Sequence, residues 1–391
     1  MFLQIHFLTS HHASLLNRDD AGLAKRISFG GQERLRISSQ CQKRHWRQWM
    51  LSGAGLPHGV RSRHFFGRVV KQQLVEAGMD AGLAHTLTFT LASGLLKTAG
   101  EKEALNKDTL DLKQPVLFGE PEAAYFTALI QQAAARGTEE QAKASLTDSL
   151  KQGAKNFGAL LREAGFPDPA AGFEGALFGR FITSDVLARV DAPVHVAHAF
   201  TTHALDTEVD FFTVVDDLAT AEETGAAHAN DMELGAGLFY GYVAVDIPLL
   251  VSNLSGTPRT EWRTQETAEA RALLDLLIRA IAEVTPGAKL GATAPYARAE
   301  CVLLEAGTGQ PRSLANAFLQ PIRLGRADAH PMVQSVEALA AYLGAVEDMY
   351  GAGGEHRCVA SLHPWPRQQE TATPLPAAIA ACLDTLFGGR P

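Results

Sequence analysis

Residues 237–247 read GLFYGYVAVDI, alternating Phe239, Gly241, Val243, Val245 and Ile247 with Tyr240, Tyr242, Ala244 and Asp246. A period of two held over that length fits an extended strand. Strands need partners, and two other segments offer them. FLQIHFL at 2–8 sets Leu3, Ile5 and Phe7 against Gln4 and His6, a half-buried strand pattern, and ECVLLEA follows at 300–306. The first lies far from the others in sequence, so the chain between must fold aside and return. Residues 61–165 are alanine-rich, read as mainly helical and are broken at Gly100, Pro115, Gly119 and Pro121, the pattern of a helical insertion. Further helices are expected over about 264–284 and 334–349. Strand, helical insertion, strand, helix and strand make an α+β fold with a split β-α-β core. The polar, small-residue-rich stretch 218–237 reads as a mobile loop, and no internal repeat is visible.

Charge is the second constraint. Between Asn17 and Trp49 stand Arg18, Lys25, Arg26, Arg34, Arg36, Lys43, Arg44 and Arg47 against Asp19, Asp20 and Glu33, a local balance of +5 in a chain of formal net charge −8. A basic segment on an acidic body points to a defined polyanion track rather than general stickiness. The N-terminus has no basic region ahead of an apolar core, and no apolar run reaches spanning length, so no secretory signal and no membrane partner are expected. Cys41, Cys301, Cys358 and Cys382 are scattered without a CxxC pair, which fits a reducing cytoplasm and gives no zinc cage.

The basic segment FGGQERLRISSQCQKRHWRQW has a layout as well as a charge. ERLRIS alternates as a strand carrying Arg34 and Arg36 on one side. Ser38 or Ser39 can cap a helix from about Gln40 to Leu51, on which Gln40, Lys43 and Arg47 share a face. Cations, cap hydroxyls and free amides at the helix tip together suit phosphate. Phe29, Trp46 and Trp49 are candidate stacking surfaces for bases. The glycines lack the GxxxxGK[ST] order, which argues against a kinase or nucleotidase.

These motifs resemble a known family. LNRDD followed by FGG.ER.RISSQ..KR..R, then GALFGRF.TSD, HVAHAFTTHALDTEVDFFTVVDDL, GLFYGYVAVD, EVTPGAK and SLANAF, occur in the order found in the CasC family, the backbone subunit of the type I-E CRISPR surveillance complex Cascade. The resemblance is weakest over 61–165 and beyond about 355. It implies an RRM-like (ferredoxin-like) palm, a helical fingers insertion and a β-hairpin thumb. The palm would begin at 1–60 with the RNA-binding strand and helix. Fingers would follow at 61–165, palm again at 166–200, thumb and mobile loop at 201–237, and the rest of the palm with a helical tail at 238–391.

The function implied is a non-catalytic scaffold that binds CRISPR guide RNA, stacks head to tail with copies of itself and presents the guide to target DNA. Its other partners would be the large, small, capping and guide-processing subunits and a separate recruited or fused nuclease. Guide contacts would fall on Arg18, Ser38, Gln40, Lys43, Arg44 and Arg47, within the segment that also holds Lys25, Phe29, Arg34 and Arg36. Phe181 would be the wedge beside the kinked nucleotide, with Arg180 supporting it and Phe212 and Thr213 at the displaced nucleotide. Arg61, Arg63, Arg68 and Lys71 are candidates for DNA contact. No cofactor or metal is expected.

Two enzyme readings compete. His195 and His198 on one helix face, with Asp206, would suit a transition metal, yet VHVAHAF alternates equally well as a strand, which would part them. His203 and Asp210 stand close by in sequence. The alternative is a metal-dependent RNA endonuclease using thumb aspartates, as in type III relatives, drawn from Asp206, Asp210, Asp216 and Asp217. His11 and His12 read as loop residues just past the first strand.

Overall fold

A computed structural model describes residues 1–97, 105–152, 164–165, 171–180, 190–214, 228–287, 294–325 and 330–388. In chain order the strands are β1 (Phe2–Ser14), β2 (Arg26–Phe29), β3 (Gln32–Ile37), β4 (Gly59–Ser62), β5 (Val116–Gly119), β6 (Val194–Val196), β7 (Ala199–Thr201), β8 (Thr207–Val214), β9 (His228–Asp246), β10 (Ala299–Gly307) and β11 (His356–Ser361). The helices are α1 (Ser39–Met50), α2 (Lys71–Glu76), α3 (Ala81–Lys97), α4 (Glu120–Ala134), α5 (Glu139–Gln152), α6 (Gly172–Phe178), α7 (Ile247–Ser255), α8 (Ala268–Glu283), α9 (Pro331–Tyr350) and α10 (Leu375–Phe387). The chain divides into two compact units: Met1–Gly53 with His195–Val245 and Arg271–Pro391, and Ala54–Val194 with Asp246–Ala270.

The first unit is built on a sheet of order β11-β10-β1-β9-β7-β3-β2, with β6 and β8 also paired to β9, nine strands among the described residues. Three segments read as strands from the sequence are neighbours at its centre: β10 runs antiparallel to β1, and β9 flanks β1 on the other side. One face, with Leu8, Leu238, Tyr240, Cys301 and Leu303, packs on Met332, Val336, Leu339 and Leu343 of α9. On the other face the Phe7 ring meets Trp46 of α1 edge-on at 6.4 Å. That ring also explains Gly241: a Cβ there would lie 2.0 Å from Phe7, so β9 passes beneath the ring only because it carries no side chain.

Two polar positions of β1, Gln4 and His6, do not face water. Gln4 and His6 are fully enclosed, and each is satisfied internally. Gln4 Oε1 accepts from Tyr242 Oη and from Arg312 N. His6 Nε2 lies 3.1 Å from Glu305, whose carboxylate also receives both terminal nitrogens of Arg312 and Nε of Arg357. Burial and these partners act oppositely on Glu305, and the hydrogen bonds from His6 and Arg312 hold it well below the usual carboxylate range. Alternation located the strand correctly; its polar side is a second, ion-paired interior.

Other expectations shift. Strand β1 runs on to Ser14, so His11 and His12 are strand residues, not loop residues; His11 is buried and His12 exposed. Residues 228–237, expected as part of a mobile loop, form the first half of β9 and pair with β8 from Thr207–Gly235 to Val214–His228. Cross-strand hydrogen bonding supplies order that small polar residues do not advertise.

The second unit is mainly helical, as the insertion pattern suggests, with an added antiparallel pair β4–β5. Its core gathers Phe65, Phe66, Phe118 and Phe126, with Phe65 stacked on Phe118 at 4.4 Å. The breakers Gly119 and Pro121 start a helix: Gly119 is the N-cap of α4, its N–H donates to Glu122, and Pro121 stands in the first turn. This unit also takes α6 and α7, which the expected boundaries assign to the palm.

Candidate nucleic-acid interface

The basic segment begins with a hairpin. Strands β2 and β3 pair from Arg26–Leu35 to Phe29–Gln32, leaving Gly30 (φ 62°) and Gly31 (φ 76°) as a two-residue turn. Two successive left-handed residues match the twist of antiparallel strands, which is why glycine stands at both. Lys25 is locked into this frame by its backbone: its N–H donates to Asn17 O and its carbonyl accepts from Arg36 N–H, each at 2.8 Å. Arg18 bridges to Ala24 alongside. Lys25 and Arg36 therefore stand on adjoining backbone segments.

Helix α1 follows with Ser38 as its N-cap, the hydroxyl accepting from Cys41 N–H at 3.2 Å. Gln42, Trp46 and Met50, spaced four apart, form its buried side. Gln42 Nε2 donates to the carbonyls of Ile37 and Ala197, fixing α1 against β3 and the β6–β7 link. Outside that buried set stand exposed Gln40 and Arg44 and half-buried Lys43 and Arg47. Burial draws the Lys43 pKa down from its ordinary value. Arg18, Lys25, Arg36, Gln40, Lys43, Arg44 and Arg47 thus belong to one continuous strand–cap–helix frame.

Several expected contacts have other work. Arg34 is fully enclosed; its two terminal nitrogens donate to the carbonyls of Thr201 (2.9 Å) and Phe318 (3.0 Å), so it pins β3 to neighbouring chain and offers nothing to solvent. The sequence placed Arg34 on a strand, and on that strand it is interior. Ser38 is buried with its hydroxyl committed to the cap. The Phe29 ring packs on Phe200 at 5.0 Å. Trp46 is core, whereas Trp49 remains 38 % exposed. The helix tip is largely satisfied internally, with Ser38 N–H donating to Asn17 Oδ1 and Ser39 N–H to His198 Nδ1.

Arg180 lies in the second unit, buried, with Nη1 2.7 Å from Glu122 and 3.1 Å from Leu117 O. Such a pair anchors structure, since either partner alone would be a bare buried charge. Phe181 lies outside the described residues, as do Asp216 and Asp217. Phe212 and Thr213 pair with Asn230 and Ala229 in the β8–β9 hairpin.

The histidine-rich stretch is strand-like, with His195 in β6 and His198 just before β7. His203 Nε2 accepts from Leu238 N–H and Nδ1 donates to Ala204 O, so the ring is neutral and backbone-bound. Among the described residues no three His, Cys, Asp or Glu side chains are grouped to hold a metal ion. No described helix is long and apolar enough to cross a membrane.

The family described as CT1975-like protein matches residues 3–386. The chain belongs to that family. It is also similar, at 25 % identity and a TM-score of 0.77, to a chain of a solved structure described as a CRISPR RNA-guided surveillance complex, pre-nicking, over 99 % of its own length and 100 % of the other's. A chain of a second CRISPR RNA-guided surveillance complex matches over the same shares at 22 % identity and a TM-score of 0.58, a likeness of fold. No curated protein sequence matches.

Proposed function

We propose that this CT1975-like chain is the CasC-type backbone subunit of a type I-E CRISPR surveillance complex, a non-catalytic scaffold that binds guide RNA and repeats head to tail along the spacer. The observation that carries this reading is the end-to-end likeness to a surveillance-complex chain, with a TM-score of 0.77. The strand–cap–helix frame supports it chemically. Arg18, Lys25, Arg36, Gln40, Lys43, Arg44 and Arg47 meet phosphates without reading bases, which leaves the bases to pair with target DNA. RNA-guided effectors of the Cas9 type divide the labour in the same way, the protein gripping the backbone while base pairing reads the sequence.

In this reading the large sheet is an RRM-like palm, the helical unit the fingers and the β8–β9 hairpin the thumb. Phe212 and Thr213 then act at the displaced nucleotide, and Phe181 is the wedge. The complex works in the cytoplasm with the other Cascade subunits and a nuclease supplied separately.

Co-expression with a CRISPR array tests the scaffold. Native mass spectrometry of complexes carrying spacers of two lengths should count more copies on the longer guide. One copy regardless of length would overturn the repeating backbone. Incubation with complementary RNA and Mg²⁺ tests the absence of catalysis; cleavage lost in Asp206→Ala or Asp210→Ala would establish an endonuclease instead.

A further inference from the structure

One histidine of HVAHAFTTHALDTEVD stands inside the cationic frame. His198 Nδ1 accepts from Ser39 N–H at 3.0 Å and lies 3.4 Å from Arg36 Nη1. A backbone amide and a guanidinium can only donate, so Nδ1 carries the lone pair and Nε2 the proton. The residue is exposed, and among the described residues the charged groups acting on it are Arg36 from β3 and Lys25 from the segment before β2, while α1 reaches it through the Ser39 amide. A second polar atom shares a cavity with Lys25 and Arg36. Ser14 Oγ, in a residue 3 % exposed, has no partner among the described residues, and Ser14 lines a cavity of about 10 Å³ with Asn17, Lys25 and Arg36. That is about the space of one water.

The donors held by His198 are those a phosphate oxygen would take. We infer that His198 is a positioning residue of the guide-binding surface: it holds the Ser39 amide and the Arg36 guanidinium in the free chain and yields both to an RNA phosphate, its ring then taking a proton from solvent at Nδ1. The inference rests on the guide-RNA reading above. Partial desolvation, followed by Arg36 and Lys25, draws the pKa of the free ring below the ordinary histidine value. A phosphate across those two cations offsets their repulsion and gives the imidazolium an anion to face. Binding is thereby coupled to uptake of up to one proton and tightens as pH falls.

The test is fluorescence anisotropy of a labelled single-stranded RNA with the full chain, at fixed ionic strength and pH 7.5, 6.5 and 5.5. Wild-type affinity should rise about three- to tenfold over that window by proton linkage. His198→Asn, whose amide oxygen can still accept from Ser39 but does not titrate, should change less than about twofold on the same linkage grounds. Equal rises in the two proteins, or a flat wild type, overturn the assignment. Calorimetry of the wild type at pH 6.5 in buffers of different ionisation enthalpy reads proton uptake without any variant, and zero uptake overturns it equally. A chain that binds RNA at no pH overturns the guide reading itself, a distinct result.

Discussion

At the scale of single residues, the same side-chain type does opposite things two positions apart. Arg34 is enclosed and bonded to two carbonyls, whereas Arg36 is half-buried beside His198. Arg34→Ala leaves both carbonyls without their donor and opens a cavity, so it should cost about 2–4 kcal/mol in urea unfolding. Arg36→Ala should cost less than about 1 kcal/mol, as surface changes do, while weakening RNA binding. A wild-type unfolding midpoint for Arg34→Ala would refute the structural role. Buried histidines set the acid response. Burial, outweighing its bond to Pro295 O, holds His11 at about 4, below its unfolded value near 6.5. The neutral ring is thus favoured by folding: its stabilisation is full above pH 6.5 and is lost as pH falls toward 4, to a total of about 3 kcal/mol. His6 shifts in the same direction and adds to the loss. Urea midpoints should therefore decline from pH 7 to 4.5, and His11→Asn should flatten part of that decline.

At the scale of elements, the β2–β3 hairpin gives a sharp contrast between neighbours. A Cβ on Gly30 would fall 1.7 Å from the backbone oxygen of Leu319, while one on Gly31 would meet nothing within 4 Å. Gly30→Ala adds a backbone clash to left-handed strain and should cost about 2–4 kcal/mol or prevent folding. Gly31→Asn, with a side chain that tolerates the left-handed region, should stay within about 1 kcal/mol. Similar losses for both in thermal melts would refute the close approach. The turn, the capping serine and helix α1 were legible because each is set by local chemistry: a glycine pair, a hydroxyl before a helix, and Gln40, Lys43 and Arg47 at helical spacing. The partners of the helix tip were not legible. Asn17 and His198 reach it from other segments, and no local pattern announces a tertiary hydrogen bond. Alternation likewise found β1 and β3 but could not say that Gln4, His6 and Arg34 face an interior stocked with carbonyls and Glu305.

At the scale of the whole molecule, the charge split is the property to test. The segment from Arg18 to Arg47 balances at +5 within a chain of −8, so a bound polyanion meets attraction along one frame and repulsion from the remainder. Such a distribution favours tracked contacts over diffuse adhesion. If each copy neutralises about three phosphates, log K should fall with log[salt] at a slope near −2, taking about 0.7 for each single-strand phosphate. Neither Lys43 nor Arg47 belongs to the buried set of α1, which is Gln42, Trp46 and Met50, so removing both should spare the core. The double variant Lys43→Ala, Arg47→Ala should bind RNA more weakly and reduce the slope by about 1.4. Reduced affinity at an unchanged slope would mean that the two side chains act by holding shape rather than by meeting phosphate. Unchanged affinity and slope would remove Lys43 and Arg47 from the RNA path, leaving Arg18, Lys25, Arg36 and Arg44 to carry it.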